Sequence, residues 1–423
     1  MLSVTSEIGR LRRVLVHEPG REIDHMVPAM MEELLFDDIL FGEGARQEHR
    51  RFRRVLHSLG VEVLEAQSLL AEALAVDEGR EWILRALLED LPAESREQLE
   101  SATPEDLAEM LVAGVRLGKA SREMEADDLF ALPPIANWCF QRDPQVVLGG
   151  GLIVCSMASG ARWREALLSQ AIFRYSPALG VEPWIDPHVS DASRPLVLGL
   201  HRPHFEGGDV MIFSKEVIAV GYSQRTNRTG IRQLARALHR REGAPRYMLI
   251  AVLPTRRAYM HLDTLISVID RDAVLTYPPV IDPDGREATK VFEVDLHERE
   301  FSPRARPEGL LAALAGHGLD YRPIPCGGED PMQQQREQWT DGANALAVDP
   351  GTILLYDRNV ETLDMLAKNG FAIVQADDLL LGHEEIDLDR NTKTCIVIPS
   401  HELSRARGGP HCLSHPLLRD EIA

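Results

Sequence analysis

The chain has 423 residues, 44% of them apolar and 26% charged, with a formal net charge of −20. That length allows two or three average domains or one large one, and the composition is that of a soluble globular protein. The negative charge argues against nucleic acid and anionic membranes as partners, and it is compatible with a small cationic substrate.

The first 19 residues contain no apolar signal core, and no run approaches the ~20 apolar residues of a membrane span. A reducing cytoplasm is therefore the expected location. Five cysteines, Cys139, Cys155, Cys326, Cys395 and Cys412, are odd in number and widely spaced, with no Cys-x-x-Cys pair. That usage speaks against a disulfide framework or a zinc site.

In chain order, an apolar strand at 11–19 and another at 61–70 open the sequence. Residues 66–129 then change character: they are rich in Leu, Ala and Glu at helical spacing. Thr103-Pro104-Glu105-Asp106 reads as a helix start, with proline in the first turn and acids near the positive end of the dipole. This segment is expected to be a helical bundle inserted into, and docked on, a body made of residues 1–65 and 130–423.

Beyond it one pattern recurs: apolar strand, tight turn, apolar strand, polar segment, amphipathic helix, short strand. It occupies 145–172, with Gly149-Gly150-Gly151 as the turn, then 209–254, with Ser214-Lys215-Glu216. A looser copy starts at 264, and another spans 344–374 around Asp349-Pro350-Gly351. The strands at 11–19 and 61–70, with the apolar run at 393–401, could complete a fifth. Self-similar ββαβ units at large spacing predict an α/β fold with radial repetition, a propeller-like array. The glycine triplet is a hairpin turn on this reading and no phosphate loop, since no Lys-Ser/Thr follows it.

Four short segments could carry chemistry. Arg407-Gly408-Gly409-Pro410-His411-Cys412 places a thiol on a costly loop, where glycines offer positive φ or close approach. A thiolate there, with a histidine elsewhere, would be a nucleophile; the ordinary alternative is a buried structural cysteine. His204-Phe205-Glu206-Gly207-Gly208-Asp209 sets two carboxylates around a glycine pair, which could equally be a turn with solvated acids. In Met260-His261-Leu262-Asp263, an extended strand would put His261 and Asp263 on one face. Asn137 through Pro144 puts Asp143 before a proline at the head of a strand, which alone reads as an Asp-Pro turn.

Together and in this order, these segments resemble the arginine deiminase family. The resemblance runs nearly end to end. It includes Glu33-Leu34-Leu35-Phe36-Asp37-Asp38, Glu337-Gln338-Trp339-Thr340-Asp341-Gly342 and the helical insertion. It implies a five-bladed ββαβ propeller and hydrolysis of L-arginine to L-citrulline and ammonia, as part of arginine catabolism. Position by position, it implies Cys412 as nucleophile, His261 as general acid/base, Glu206 as support for that histidine, and Asp143 and Asp263 as the guanidinium clamp. It further implies Arg162 and Arg225 for the substrate carboxylate, and Asn137 and Phe140 at the α-amino end and aliphatic stem. Leu35 and Arg407 match mobile positions at the mouth, and Asp209 a further acid near the site. The sequence departs from the family pattern at Gln141, His411 and His415.

No metal and no cofactor are expected, and the expected partner is L-arginine itself, with a homo-oligomer (dimer or tetramer) as the assembly. Two other readings remain open at this point. One is amidino transfer to an amine through the same cysteine intermediate; the other is a catalytically silent arginine-binding protein.

Overall fold

The structure, a computed structural model, describes residues 2–32, 34–88, 91–117, 129–186, 202–390 and 392–422. Glu33, and within the inserted segment residues 89–90 and 118–128, lie outside the described residues. The fold is α/β, with mixed sheets built from a repeated motif.

The motif is clearest in its second copy. Val210–Ile212 pairs antiparallel with Val217–Tyr222, the helix Arg228–Leu238 crosses over, and Tyr247–Val252 returns parallel to Val217–Tyr222. Gln145–Leu148 and Gly151–Val154 form a tight hairpin, with Gly149 at φ 56° in the turn, and the helix Trp163–Tyr175 follows. Ile266–Asp270 and Ala273–Thr276 pair likewise, with Arg322–Pro325 parallel beside them. The residues between them, Lys290–Asp295 and Arg304–Arg306, leave that sheet and extend the neighbouring one beyond Tyr247–Val252.

Two strand assignments differ from the sequence expectation. The apolar run at 393–401 does not join the N-terminal strands. It forms Thr394–Ile398, which lies parallel between Thr352–Tyr356 and Ala372–Gln375. Burial explains the choice: every residue of Thr394–Ile398 is buried, as a central strand requires, whereas Ala372–Gln375 alternates with solvent and takes the edge. The N-terminal sheet is completed instead by His415–Arg419, antiparallel to Leu11–Val16, with Glu62–Glu65 parallel on the other side. The chain from 399 to 414 therefore crosses from the last sheet to the first, and Cys412 sits on that crossing.

First strands of neighbouring sheets touch: Leu346–Asp349 packs on both Leu11–Val16 and Ile266–Asp270, and His415–Arg419 packs on Gln145–Leu148. One polar segment precedes each such strand by a few residues. Asp143 comes before Gln145–Leu148, Glu206 before Val210–Ile212, and His261 and Asp263 before Ile266–Asp270. Asp341 and Asn344 come before Leu346–Asp349, and Cys412 before His415–Arg419.

The inserted segment forms the helices Ala66–Leu74, Asp77–Leu87, Ala93–Ser101 and Pro104–Ala113. Thr103 caps the last of these, its hydroxyl accepting from the Asp106 N–H at 3.1 Å. These helices are docked: Leu70, Leu74, Leu107 and Leu111 share one apolar core with Leu152, Ile153 and Leu168 of the body.

The join is polar. His17, buried at the end of the first strand, meets Glu22 Oε1 at 3.2 Å and Glu65 Oε1 at 2.9 Å, and packs at a tilt of 47° against the Trp138 ring. Glu65 also caps the first inserted helix through the Ser68 N–H. Burial lowers the affinity of His17 for a proton, but the two carboxylates outweigh it and raise its pKa to about 10. Because the folded value exceeds the ordinary 6.5, the stabilisation is complete below pH 6.5 and is lost as pH rises through about 10. Urea unfolding of wild type should therefore lose more stability between pH 7 and pH 10 than that of His17→Gln. Parallel pH dependences in the two proteins would show that His17 titration is not linked to folding.

Candidate active site

Cys412 is buried, and its thiol donates to Asp263 Oδ2 at 3.4 Å. Its backbone N–H donates to Asn344 Oδ1 at 3.1 Å, which fixes the loop. The glycines before it serve close approach and not positive φ. A Cβ on Gly408 would lie 2.3 Å from the Phe140 ring, while it is Arg407 that takes the left-handed conformation, at φ 68°. Burial drives the Cys412 thiol pKa up, Asp263 and Asp143 drive it further, and it stands well above its ordinary value. The sulfur is a neutral thiol in this state.

His261 and Asp263 are not on a strand. His261 is extended, but Leu262–Thr264 is a 3-10 turn, pinned by Asp209 Oδ1 accepting from the Leu262 N–H at 3.0 Å. The Thr264 hydroxyl donates back to the His261 carbonyl at 2.6 Å. The tight turn still delivers both side chains to the site. His261 Nε2 lies 2.9 Å from Glu206 Oε2, and Nδ1 faces Asp143 Oδ1 at 3.7 Å. Burial opposes the charge on the imidazole, yet Asp143, Glu206 and Asp209 prevail and raise its pKa to about 9. At neutral pH it is an imidazolium. Burial also disfavours the Glu206 anion, but Arg225, His261 and Arg162 outweigh it and hold this carboxyl well below its usual range. Asp209 is different: burial dominates and raises its pKa to about 7, although Ser223 donates to it at 2.6 Å.

Asp143 and Asp263 each have one committed oxygen. Asp143 Oδ2 takes Arg162 Nη1 at 2.9 Å, and Asp263 Oδ2 takes His411 Nδ1 at 2.9 Å. The other oxygen of each, Oδ1, is buried and has no hydrogen-bond partner. Leaving such acceptors unpaired is costly.

The remaining expected residues divide into two groups. Leu35, Asn137, Phe140, Arg225 and Arg407 border the same small cavity as Cys412, His261 and Asp143. Arg162 does not: it is buried behind Asp143, forked onto Glu165 at 2.9 and 2.7 Å and 3.4 Å from Glu206. Asn137 donates to the Leu34 carbonyl, and Arg225 Nη1 lies 3.7 Å from Glu206 Oε1 with no hydrogen bond of its own. The cavity holds about 20 Å³, room for about one water molecule and far too little for an amino acid. Entry of any substrate requires the rim to move.

That rim contains Arg407, whose guanidinium stacks 3.4 Å from the centre of the Trp339 ring. The Glu337–Gly342 segment is accordingly a rim device. Gln338 donates to the Ala258 carbonyl at 2.8 Å, and Glu337 caps the helix Val360–Lys368 through the N–H groups of Glu361 and Thr362.

Sequence reasoning missed a second layer. Glu7 lies 3.2 Å from His411 Nε2 and 3.6 Å from Arg142, so His411 bridges it to Asp263. Burial pushes the Glu7 carboxyl up, but Arg142 and His411 overcome this and hold it well below the usual carboxylate range. Glu7 had no motif around it; only its distance from any plausible N-terminal helix or strand interior could have raised it. Asp143, Glu206 and His261 also bring ligand atoms within 4.8 Å of one another, a spacing that fits a metal ion and that the sequence did not suggest. Two arginines lean on these carboxylates, and that charge disfavours a bound cation metal.

The family model described as arginine deiminase matches residues 32–419. The chain belongs to the arginine deiminase family. It is 34% identical to the arginine deiminase of Clostridium perfringens, over all of this chain and 98% of that one. It is 34% identical to that of Limosilactobacillus fermentum, over all of this chain and 99% of the relative. Among solved structures, an amidinotransferase of saxitoxin biosynthesis from Microseira wollei aligns at TM-score 0.56 and 15% identity, covering 100% of this chain and 98% of its own. The inosamine-phosphate amidinotransferase of Streptomyces griseus aligns at 0.54 and 17%, with coverages of 100% and 98%. At these identities the two structures report the fold alone.

In this family member the glycine pair after Glu206 is needed for closeness. A Cβ on Gly208 would lie 2.7 Å from His261 Nδ1 and 3.0 Å from Asp143 Oδ1. Gly208→Ala should therefore lower kcat by about 100-fold or more, the scale of misplacing a general acid/base, with little change in thermal midpoint. Unchanged kcat would mean the imidazole is free to shift.

Proposed function

We propose that this chain hydrolyses L-arginine to L-citrulline and ammonia through a covalent intermediate on Cys412, in the cytoplasm, as a step of arginine catabolism. Its catalytic body is residues 1–65 and 130–423, five ββαβ units arranged around the site, with 66–129 as an inserted helical domain. One observation carries the reading. Two buried carboxylates, Asp143 facing the imidazolium and Asp263 accepting from the thiol, each keep one oxygen without a hydrogen-bond partner. A planar cation rich in N–H donors satisfies both oxygens at once, with charge-assisted hydrogen bonds that fix its plane.

The charge state argues the same way. The Cys412 thiol is held neutral by burial and by the carboxylates around it, so it is inert until a cation arrives. A guanidinium between Asp143 and Asp263 cancels that field and favours the thiolate, the thiol proton passing to solvent as the cation binds. The thiolate then bonds to the guanidinium carbon, already positioned by its clamp. His261, charged below about pH 9, gives a proton to the departing nitrogen, which leaves as ammonia. A thiouronium remains. Neutral His261 takes a proton from water, the hydroxide adds to the same carbon, and the carbon–sulfur bond breaks. Citrulline and the thiolate result, and the hydroxyl proton leaves with ammonia as ammonium.

Glu206 orients His261 and sustains its charge. Arg225, which borders the cavity and has an unpaired Nη1, is placed to take the substrate carboxylate, with Asn137 and Phe140 along the stem and amino end. Arg162 is assigned to the same carboxylate, and to reach it the side chain must exchange its present fork on Glu165. Leu35 and Arg407 open the mouth.

The direct test is mass spectrometry of protein quenched in acid during turnover of arginine. An arginine-derived adduct on Cys412, with citrulline and ammonia as products, is expected. Cys412→Ala should form neither while still binding arginine. Products appearing only when an amine such as glycine is added would assign amidino transfer instead. In addition, kcat/KM should fall above about pH 9 as His261 loses its proton. Glu206→Gln removes a charge that raises that pKa, so its alkaline limb should move to lower pH by about one unit, the shift that 1.4 kcal/mol produces. A limb that stays in place would assign it to another group.

A further inference from the structure

Outside the active-site cavity, and sharing none of its lining residues, the five-stranded sheet carries a cleft of about 920 Å³ on one face. Its floor is apolar: Met248, Ile250 and Val252 from one strand, and Phe292 and Val294 from the next. One wall is the helix Arg228–Leu238, which turns Arg228, Arg232 and Arg236 toward the cleft at successive i, i+4 positions. With a rise of about 1.5 Å per residue, these three form a row of cationic groups about 12 Å long. The opposite wall is the 299–303 segment, with Arg299 and with Phe301 edge-on to His239 at 5.5 Å. Glu300 is the one carboxylate among the described lining residues.

This concentration of positive charge is out of character for a chain of net charge −20. Elsewhere its surface arginines are mostly neutralised: Arg10, Arg12, Arg46, Arg246 and Arg405 each have a carboxylate partner within 3 Å. Among the described residues, none of Arg228, Arg232, Arg236 and Arg299 makes an ion pair. Three unneutralised guanidiniums along one helix face, with a fourth across the cleft, repel one another, and an anion relieves that cost.

We propose that this cleft binds a nucleotide-class anion, a small molecule joining several phosphates to an aromatic body. The cleft volume lies within the range of small-molecule sites and is concave, unlike the flatter surfaces that proteins favour. A guanidinium forks onto phosphate oxygens, so the arginine row suits a short chain of linked phosphates. A bare inorganic anion leaves the floor of Ile250, Val252 and Phe292 without an apolar partner, whereas a planar base covers it and stacks on an aromatic edge. A nucleic acid meets the repulsion of the chain's overall charge, which a single nucleotide meets far less.

The test is calorimetric titration of the full chain with ATP, AMP and inorganic pyrophosphate. It is run on wild type, on Arg232→Glu/Arg236→Glu, and on Arg85→Glu, an exposed arginine of the inserted helices, as a control. Circular dichroism and thermal midpoints confirm that each variant is folded. The expected result is one saturable ATP site per chain, tighter than the pyrophosphate site, weakened at least about tenfold in the double variant and unchanged in Arg85→Glu. Absence of saturable ATP binding, equal binding by the double variant, or affinity no better than that of pyrophosphate overturns the proposal. So does self-association of wild type that the double variant abolishes while ATP fails to bind, which would make the cleft an interface between copies of this chain.

Discussion

The structure is organised around a cluster of buried carboxylates that must be neutralised without water. Glu7, Asp143, Glu165, Glu206 and Asp263 all lie at or below 4% exposure, in two networks: Asp143, Glu165 and Glu206 meet at Arg162, and Glu7 and Asp263 meet at His411. Removing such ions from water costs several kcal/mol each, which only well-placed partners offset. Arg142, Arg162, Arg225, His261 and His411 supply most of that compensation. They leave it incomplete at two oxygens, Asp143 Oδ1 and Asp263 Oδ1. On the proposed reading, that remainder is the binding energy for the substrate cation.

The repeated fold is what brings these groups together. Each unit delivers a polar segment a few residues ahead of its first strand, and those strands pack side by side. No unit holds a working site alone. Cys412 comes from the crossing between the last sheet and the first, and Glu206 and His261 from two consecutive units. Because the contributors sit in tight turns tied by backbone hydrogen bonds, their geometry is set by the sheets rather than by loop flexibility. The cavity is nonetheless shut. Arg407, against the Trp339 ring, and Leu35 both border the cavity and both take the left-handed backbone conformation.

A neutral thiol beside a charged imidazole is the reverse of the ion pair expected of a cysteine nucleophile and its base. Local electrostatics account for it: His261 faces Asp143 and Glu206, which keep its proton, while Cys412 faces Asp263, which keeps the thiol protonated. On the proposed reading, the same carboxylates that clamp a guanidinium restrain the sulfur in its absence. Specificity for a cation and protection of the thiol share one cause.

The sequence by itself determined the chemistry-bearing segments, the ββαβ repetition, the inserted helices and the family. Those are local signals: alternating apolar strands, helical spacing, and short motifs whose residue types the reaction requires. Cys412, His261 and Asp143 line one small cavity, with Asp263 against the thiol and Glu206 against the imidazole. Tertiary structure alone decided which strand completes which sheet. Thr394–Ile398 is buried throughout and takes a central place in the last sheet, while His415–Arg419 pairs at the edge of the first. It alone brought in Glu7, which has no neighbour in sequence to mark it and reaches Asp263 through a ring 404 residues away. It placed Arg162 behind the clamp instead of in the cavity, because three carboxylates compete for one guanidinium. It also set the protonation of the thiol and the imidazole, since both depend on burial and on charges that only the folded chain brings within reach.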